Sequence, residues 1–450
     1  MTLRNLSVRA QENLQGTNVM LEGVVRANSN KFHIKTNPTG IINLGVAENQ
    51  LMTRELSEIM APVNTVDPKL FGYGDSPSGS KLLRRHFANN IFNRYFNPHE
   101  PVQDEHMVLT AGCSAAVDNF TFCVCDPGDG ILITTPFYGG FTTDIMTKSK
   151  AKVVVAHLGD VSPFDIAHVE LMQQAVDKAI AEGTRVRAFV LSNPHNPLGR
   201  NYSRKVIIEF LKFASKNRLH ILFDEIYALS VFDQFLTGAA KNEQPDRTPF
   251  TSVLSLPNIE DYCPKELVHV AYGVSKDFCL NGFRCGCLVS PWNKDLIDAM
   301  RSISVFTWIS STTESMLIKL LENPKTIDKF TKTNQKRLAE SYTLTVNTLR
   351  AHRIPYIPAQ GGHFIWIDLR KFIPPSLVNI AAAGDRGAEY RLFTAMLDKG
   401  VYANLGEAFT EKKVGFFRLS FSVPIPTLKI GLERLIKACQ ATLESPDDRN

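Results

Sequence analysis

Val268-His269-Val270-Ala271-Tyr272-Gly273-Val274-Ser275-Lys276 is the stretch on which the fold turns. Val268–Ala271 is a continuous apolar run rather than an alternating one, which predicts a strand buried on both faces. The run leads into a glycine, then a hydroxyl and an amine. Gly282-Phe283-Arg284 follows, with its guanidinium eight residues beyond Lys276.

Six more runs of the same kind lie around it: Met107–Thr110, Ile131–Thr134, Val153–Ala156, Ala188–Leu191, Ile221–Phe223 and Cys287–Val289. Amphipathic stretches separate several of them. The clearest is Arg204–Lys216, where Val206, Ile207, Phe210, Leu211 and Phe213 make an apolar stripe behind a Ser203 N-cap. Strands alternating with helices predict an α/β domain with a mostly parallel sheet. Beyond it, Lys294–Leu321 and Pro324–His352 predict two long helices. Phe364–Leu369, a helix near Ala388–Lys399, Phe416–Phe421 and a last helix from Thr427 predict a smaller α+β domain. The expected division is an arm over 1–45 that joins the small domain, a large domain over 46–323 and a small domain over 324–450.

The chain has 450 residues, 44% of them hydrophobic and 21% charged, with a formal net charge of +5. These values suit a soluble two-domain protein. The excess positive charge is scattered, which argues against a nucleic-acid partner. No apolar run approaches the roughly 20 residues of a membrane span. Met1-Thr2-Leu3-Arg4-Asn5 opens polar sequence without a leader-like apolar stretch, which predicts a cytoplasmic protein. The eight cysteines include C-x-C pairs at Cys123/Cys125 and Cys285/Cys287, but no set with metal-ligand spacing. They are expected to be reduced, buried thiols, with no metal bound.

Ligands in such sheets bind at the carboxyl ends of the strands. Asp224 follows Ile221–Phe223, Asn193 follows Ala188–Leu191, and Ser275-Lys276 closely follows Val268–Ala271. Alone, each side chain has an ordinary explanation. A lysine is usually a solvated charge, Asp224 caps a helix or pairs with a cation, and Arg418 in Gly415-Phe416-Phe417-Arg418 pairs with a structural carboxylate. Together they suit a phosphate-bearing aldehyde. Lys276 can form an imine with it, and Ser275 and Arg284 can hold the dianion. Asp224 can partner a pyridinium nitrogen, while Asn196 and Tyr227 can hydrogen-bond a phenolic oxygen. Ala111-Gly112-Cys113-Ser114-Ala115 can present helix amides to a phosphate. Tyr138 can stack on a ring, and Arg418 can grip an α-carboxylate. That chemistry describes pyridoxal phosphate and predicts an α-amino acid as substrate.

Asn193-Pro194-His195-Asn196-Pro197-Leu198-Gly199, Asp224-Glu225-Ile226-Tyr227 and Ser275-Lys276 with Gly282-Phe283-Arg284 resemble motifs of the fold-type I pyridoxal-phosphate enzymes, specifically the class I/II aminotransferases. The resemblance runs from about residue 41 to 440. It implies that Lys276 carries the cofactor as an imine, with Asp224 on the ring nitrogen and Asn196 and Tyr227 on O3′. It further implies Ser114, Ala115, Ser275 and Arg284 around the phosphate, Tyr138 against the ring and Arg418 on the substrate carboxylate. Such enzymes are typically homodimers with shared sites, which makes Tyr73 the residue expected to reach a neighbour's phosphate.

Ala47-Glu48-Asn49-Gln50 is similar to a signature of the 1-aminocyclopropane-1-carboxylate synthase branch, and would bring Ala47 and Glu48 near the substrate. The synthases carry Asp-Tyr-His-Gly where this chain has Gly74-Asp75-Ser76-Pro77-Ser78-Gly79-Ser80, so cyclopropane formation is not implied. Cys279 and Cys285 replace small or aliphatic residues as packing variants. The expected chemistry starts with removal of a Cα proton by Lys276. Aminotransferase is the first expectation. A lyase of the synthase-like or carbon–sulfur type is the alternative, and a non-catalytic cofactor-binding protein is a remote one.

Overall fold

A computed structural model describes residues 5–14, 19–243, 247–373 and 387–444. Met1–Arg4 falls outside them. The strands in chain order are β1 (Ile42–Asn43), β2 (Met107–Thr110), β3 (Gly130–Thr134), β4 (Lys152–Ala156), β5 (Val186–Ser192), β6 (His220–Asp224), β7 (Val268–Gly273), β8 (Gly286–Val289), β9 (Tyr356–Ile357), β10 (Phe364–Asp368), β11 (Val401–Tyr402), β12 (Asn404–Leu405) and β13 (Phe416–Ser420). All seven apolar runs form strands of one seven-stranded sheet, ordered β2-β8-β7-β6-β5-β3-β4. The strands from β7 to β4 run parallel, and β8 is antiparallel to both of its neighbours.

The continuous runs mark burial on both faces, because alternate residues of one strand enter different cores. Phe189 and Leu191 of β5 pack with Phe210 and Leu211 of the helix Arg204–Asn217. Ala188 and Val190 face the other way, toward Val117 and Phe120 of the helix Cys113–Val124. Leu222 of β6 joins the second group, and Ile221 and Phe223 join the first. Ser203 caps Arg204–Asn217 by accepting from Val206 N–H at 3.3 Å.

A second core unites both ends of the chain. Ala27, Ile42 and Leu44 pack with Leu338, Tyr342, Leu432 and Leu435. β1 pairs in parallel with β11, and an antiparallel sheet runs β12-β13-β10-β9. The helix Pro324–Ala351 spans the two cores. Ile327 and Phe330 enter the first, and Leu338, Tyr342 and Val346 enter the second. The N-terminal region holds two helices, Val8–Leu14 and Val19–Ser29.

The single long helix expected over Lys294–Leu321 does not form. Lys294–Ile303 ends in a tight turn at Ser304–Thr307, and a new helix starts at Ser311. Thr307 C=O accepts from Ala111 N–H at 2.8 Å, and Ser310 Oγ caps the second helix from Thr313 N–H at 3.2 Å. The break ties this connection to the loop after β2 and leaves Phe306 84% exposed.

All eight cysteines are free thiols, six of them buried. Among the described residues, no helix is long and apolar enough to cross a membrane, and no cluster of metal-ligating side chains occurs. His220 and His269 meet inside the sheet, with Nδ1 of the first 2.9 Å from Nε2 of the second. Burial, then Arg187, pulls His220 down to about 4, and burial pulls His269 well below the usual imidazole range. The unfolded imidazoles take up protons below about pH 6.5, where the folded pair stays neutral, so stability falls as pH drops from 6.5 toward 4. The urea midpoint is expected to fall between pH 7 and 5, with His220 accounting for about 1–2 kcal/mol of the loss. His220→Asn should shrink that drop.

Candidate active site

Most of the side chains singled out by sequence gather where β6 and β7 end. β7 closes in Gly273, and a four-residue helix, Val274–Asp277, turns Lys276 inward. Lys276 Nζ donates to Ala47 C=O at 2.6 Å. With its amide turned to satisfy both ends, Asn281 accepts from Nζ at 3.3 Å and donates to Ser275 C=O at 2.8 Å. Burial, then the nearby Arg418 charge, lowers the amine to about 8, while Glu48 and Asp224 oppose the shift.

Asp224 is the last residue of β6 and is 6% exposed. Its Oδ1 accepts from Ile226 N–H at 3.3 Å and from the Cys113 thiol at 3.6 Å. Burial raises it to about 6 against those donors. Tyr227, three residues on, is buried edge-on to Phe364 at 5.3 Å. Its phenol is pushed up by burial.

Opposite stands Arg418 on β13, only 3% exposed. Its guanidinium lies between Phe364 and Phe409, 4.9 and 4.7 Å from the ring centres. Nη1 donates to Asn196 Oδ1 at 3.0 Å and Nη2 to Gly45 C=O at 2.7 Å, while Nε is buried without a partner. Among the described residues no carboxylate forms an ion pair with it, so the structural Asp or Glu that would explain a buried arginine is missing. A buried cation with a spare N–H is a receptor for a carboxylate.

The third corner is the start of the helix Cys113–Val124. Gly112 caps it at φ 90°, and a Cβ there would sit 2.3 Å from Arg284 Nη2. Only glycine leaves the guanidinium room beside the helix amides. Ser114, Ser275 and Arg284 thus edge one pocket with Lys276, and the pocket also contains Ala47, Tyr138, Asn196, Asp224, Tyr227 and Arg418.

Three expected residues lie outside it. Ala115 N–H bonds back to Gly112 C=O at 3.2 Å, inside the first helical turn, and is not presented to a ligand. Glu48 is exposed and lines an adjoining cleft with Phe32 and Val423. Ala47 and Asn49 on either side of it are buried, and the alternation turns Glu48 outward, although its charge still raises Lys276. Tyr73 is 84% exposed and stacks on Trp308 at 5.4 Å, away from this chain's own pocket.

Cys113, Asn281, Val46, Phe141 and Asp144 line the pocket without having been singled out. Burial lifts Asp144 to about 7, against a hydrogen bond from Ser114. Asn281 had a signal, since it lies between Lys276 and Arg284. Asp144 had none.

A mostly parallel sheet with an amine, a carboxylate and a hydroxyl–guanidinium pair at its strand ends defines the fold-type I pyridoxal-phosphate proteins. The chain belongs to the aminotransferase class I and II family, whose model matches residues 39–435, and to its 1-aminocyclopropane-1-carboxylate synthase-like branch. It is 34% identical over 446 residues to 1-aminocyclopropane-1-carboxylate synthase-like protein 1 of Takifugu rubripes, covering 97% of this chain and 68% of that one. It is 32% identical over 426 residues to a human protein named "Probable inactive 1-aminocyclopropane-1-carboxylate synthase-like protein 2", covering 92% and 70%. Its fold matches an aspartate aminotransferase double mutant of Thermus thermophilus with a TM-score of 0.75 at 20% identity, covering 96% of this chain and 99% of that one. Members of the family use pyridoxal 5′-phosphate. The depressed lysine, the buried carboxylate and the room that Gly112 leaves at Arg284 fit that group.

Proposed function

We propose that the protein is an enzyme that removes the Cα proton of an α-amino acid and transfers its amino group to a 2-oxo acid. The observation that carries this is Arg418. It is a buried guanidinium with a free Nε and no carboxylate partner among the described residues, in one pocket with Lys276 and Asp224. When bound, pyridoxal phosphate supplies an electron sink for the carbanion.

The chain's own residues do the rest. Ser275, Ser114 and Arg284 would hold the phosphate, Tyr138 would stack on the ring, and Asn196 and Tyr227 would hold O3′. Asp224 would keep a proton on the ring nitrogen, with Ile226 N–H and the Cys113 thiol bonded to its Oδ1. Arg418 binds the substrate carboxylate and so aims Cα at Lys276. Lys276 Nζ, lowered to about 8, then takes the Cα proton.

For amino transfer Lys276, once protonated, would be the acid that returns the proton, and water would release the 2-oxo acid. The pocket's two carboxyl groups are Asp224 and Asp144, the second hydrogen-bonded by Ser114. A second outcome is elimination of a thiol from Cβ or Cγ, because a thiolate leaves without a strong acid. Ala47-Glu48-Asn49-Gln50 and the synthase-like relatives favour it. Cyclopropane formation is disfavoured by the Gly74–Ser80 departure from the synthase motif. The decisive assay supplies amino acids with a 2-oxo acid, and separately a thioether amino acid. Amino exchange is expected. Release of thiol, ammonia and a 2-oxo acid without exchange would give the lyase the case, and neither reaction would leave only a cofactor-binding protein. Arg418→Lys should raise KM for the amino acid about tenfold or more while cofactor occupancy is kept. Unchanged kinetics would remove Arg418 from the site.

The exposure of Phe71, Tyr73 and Phe306, with Tyr73 stacked on Trp308, supports a homodimer that places Tyr73 at the partner's phosphate.

A further inference from the structure

Behind Lys276 lies a buried polar cluster that the pocket chemistry does not use. Asp277, the next residue, is 2% exposed and accepts from Ser230 Oγ at 2.6 Å, Leu229 N–H at 2.8 Å and Tyr272 Oη at 3.1 Å. Burial raises Asp277 to about 7, and these three donors oppose that shift and favour the carboxylate, with Ser230 Oγ donating to it. Ser230 therefore gives its only proton to Asp277. Its second contact, 3.1 Å to His363 Nε2, is one in which the serine accepts and the imidazole donates. Neutral His363 thus carries its proton on Nε2. Nδ1 is left as an acceptor, buried and without a partner. An unmet acceptor in a fully buried ring is costly, so other contacts must hold this histidine in place.

Those contacts link three parts of the site. His363 C=O accepts from Phe421 N–H at 2.9 Å and Ser420 Oγ at 3.1 Å, at the end of the strand that carries Arg418. Its ring meets Tyr227 edge-on at 5.4 Å. Gly362 N–H bonds Ser230 C=O at 3.1 Å, in the turn that follows Tyr227. Through Ser230 the imidazole reaches Asp277, and so the four-residue helix that carries Lys276.

We propose that His363 is a positioning residue: its Nε2–H bond to Ser230, relayed to Asp277, holds Lys276 and Tyr227 in register with the strand of Arg418. It does not line the pocket. The proposal rests on Lys276 acting at the Cα of an amino acid held by Arg418, because such a base must be placed to a fraction of an ångström.

The test uses the full chain and has two arms. In the first, cofactor-free protein with ¹⁵N-labelled histidine should give His363, assigned by its loss in His363→Gln, a protonated Nε2 and an unprotonated Nδ1. The opposite tautomer, or an imidazolium at pH 7, overturns the relay. In the second, the cofactor-loaded protein exchanges the α-proton of L-amino acids in D₂O. His363→Leu should slow exchange about tenfold with little change in KM or cofactor affinity, and His363→Gln, which keeps a donor near Nε2, should recover most of it. Ser230→Ala should cost about as much, and the double variant no more than either single one. Unchanged exchange in either single variant, or losses that add, overturns the proposal. If His363→Leu fails to fold, Ser230→Ala decides alone. A wild-type protein that exchanges no amino acid condemns the parent reading instead, and the tautomer arm still judges His363.

Discussion

Lys276→Ala is expected to slow Cα-proton exchange by about 10²–10⁴-fold, the usual range for losing a placed general base. It should also leave the cofactor removable by dialysis. The effect is large because the amine is already adapted to the task. With burial and Arg418 lowering it to about 8, roughly one Lys276 in ten is the free base at pH 7. An ordinary lysine near 10.4 would offer about one in 2,500. Cofactor uptake by the cofactor-free protein, followed by absorbance, should therefore climb about tenfold from pH 6 to 7 and level off above about 8. A rate still rising steeply at pH 9 would contradict the lowered amine.

Asp224→Asn should keep the fold and most cofactor affinity yet lose about 10²–10³-fold in exchange rate, the scale of removing one preorganised electrostatic partner. Asparagine has nearly the same shape. It cannot keep a proton on the ring nitrogen, because its oxygen carries no charge. The carboxylate sits at the end of a strand and is buried to 6% exposure. Its pKa near 6, raised by burial, leaves it mostly ionised at pH 7. An asparagine variant within about threefold of wild type would show that Asp224 has another job.

The parts of this molecule that follow from local pattern were legible in its sequence. The seven strands were, because a run such as Ala188-Phe189-Val190-Leu191 feeds both cores and cannot alternate. The meeting of Lys276, Asp224 and Asn196 in one pocket was, because these side chains follow strand ends and need partners. The break at Ser304–Ser310 was not, since Val305 and Phe306 look like core residues and are in fact exposed. Glu48 looked like a pocket residue, but a two-residue alternation fixed by the burial of Ala47 and Asn49 turns it outward. Ala115 failed for a backbone reason, its amide being committed to Gly112. Cys113 and Asp144 reach the pocket by tertiary packing. His363 carries no local signal either, because Gly361-Gly362-His363-Phe364 reads only as a turn entering a strand. Its role comes from Ser230 and Asp277, both distant in the chain.

The most direct test of the account loads the protein with pyridoxal phosphate, reduces it with borohydride and maps the modified peptide by mass. The account predicts one dominant label, on Lys276, which disappears in Lys276→Ala and falls when an amino-acid substrate is added before reduction. Label spread over surface lysines, or a Lys276 peptide left unmodified, would contradict it.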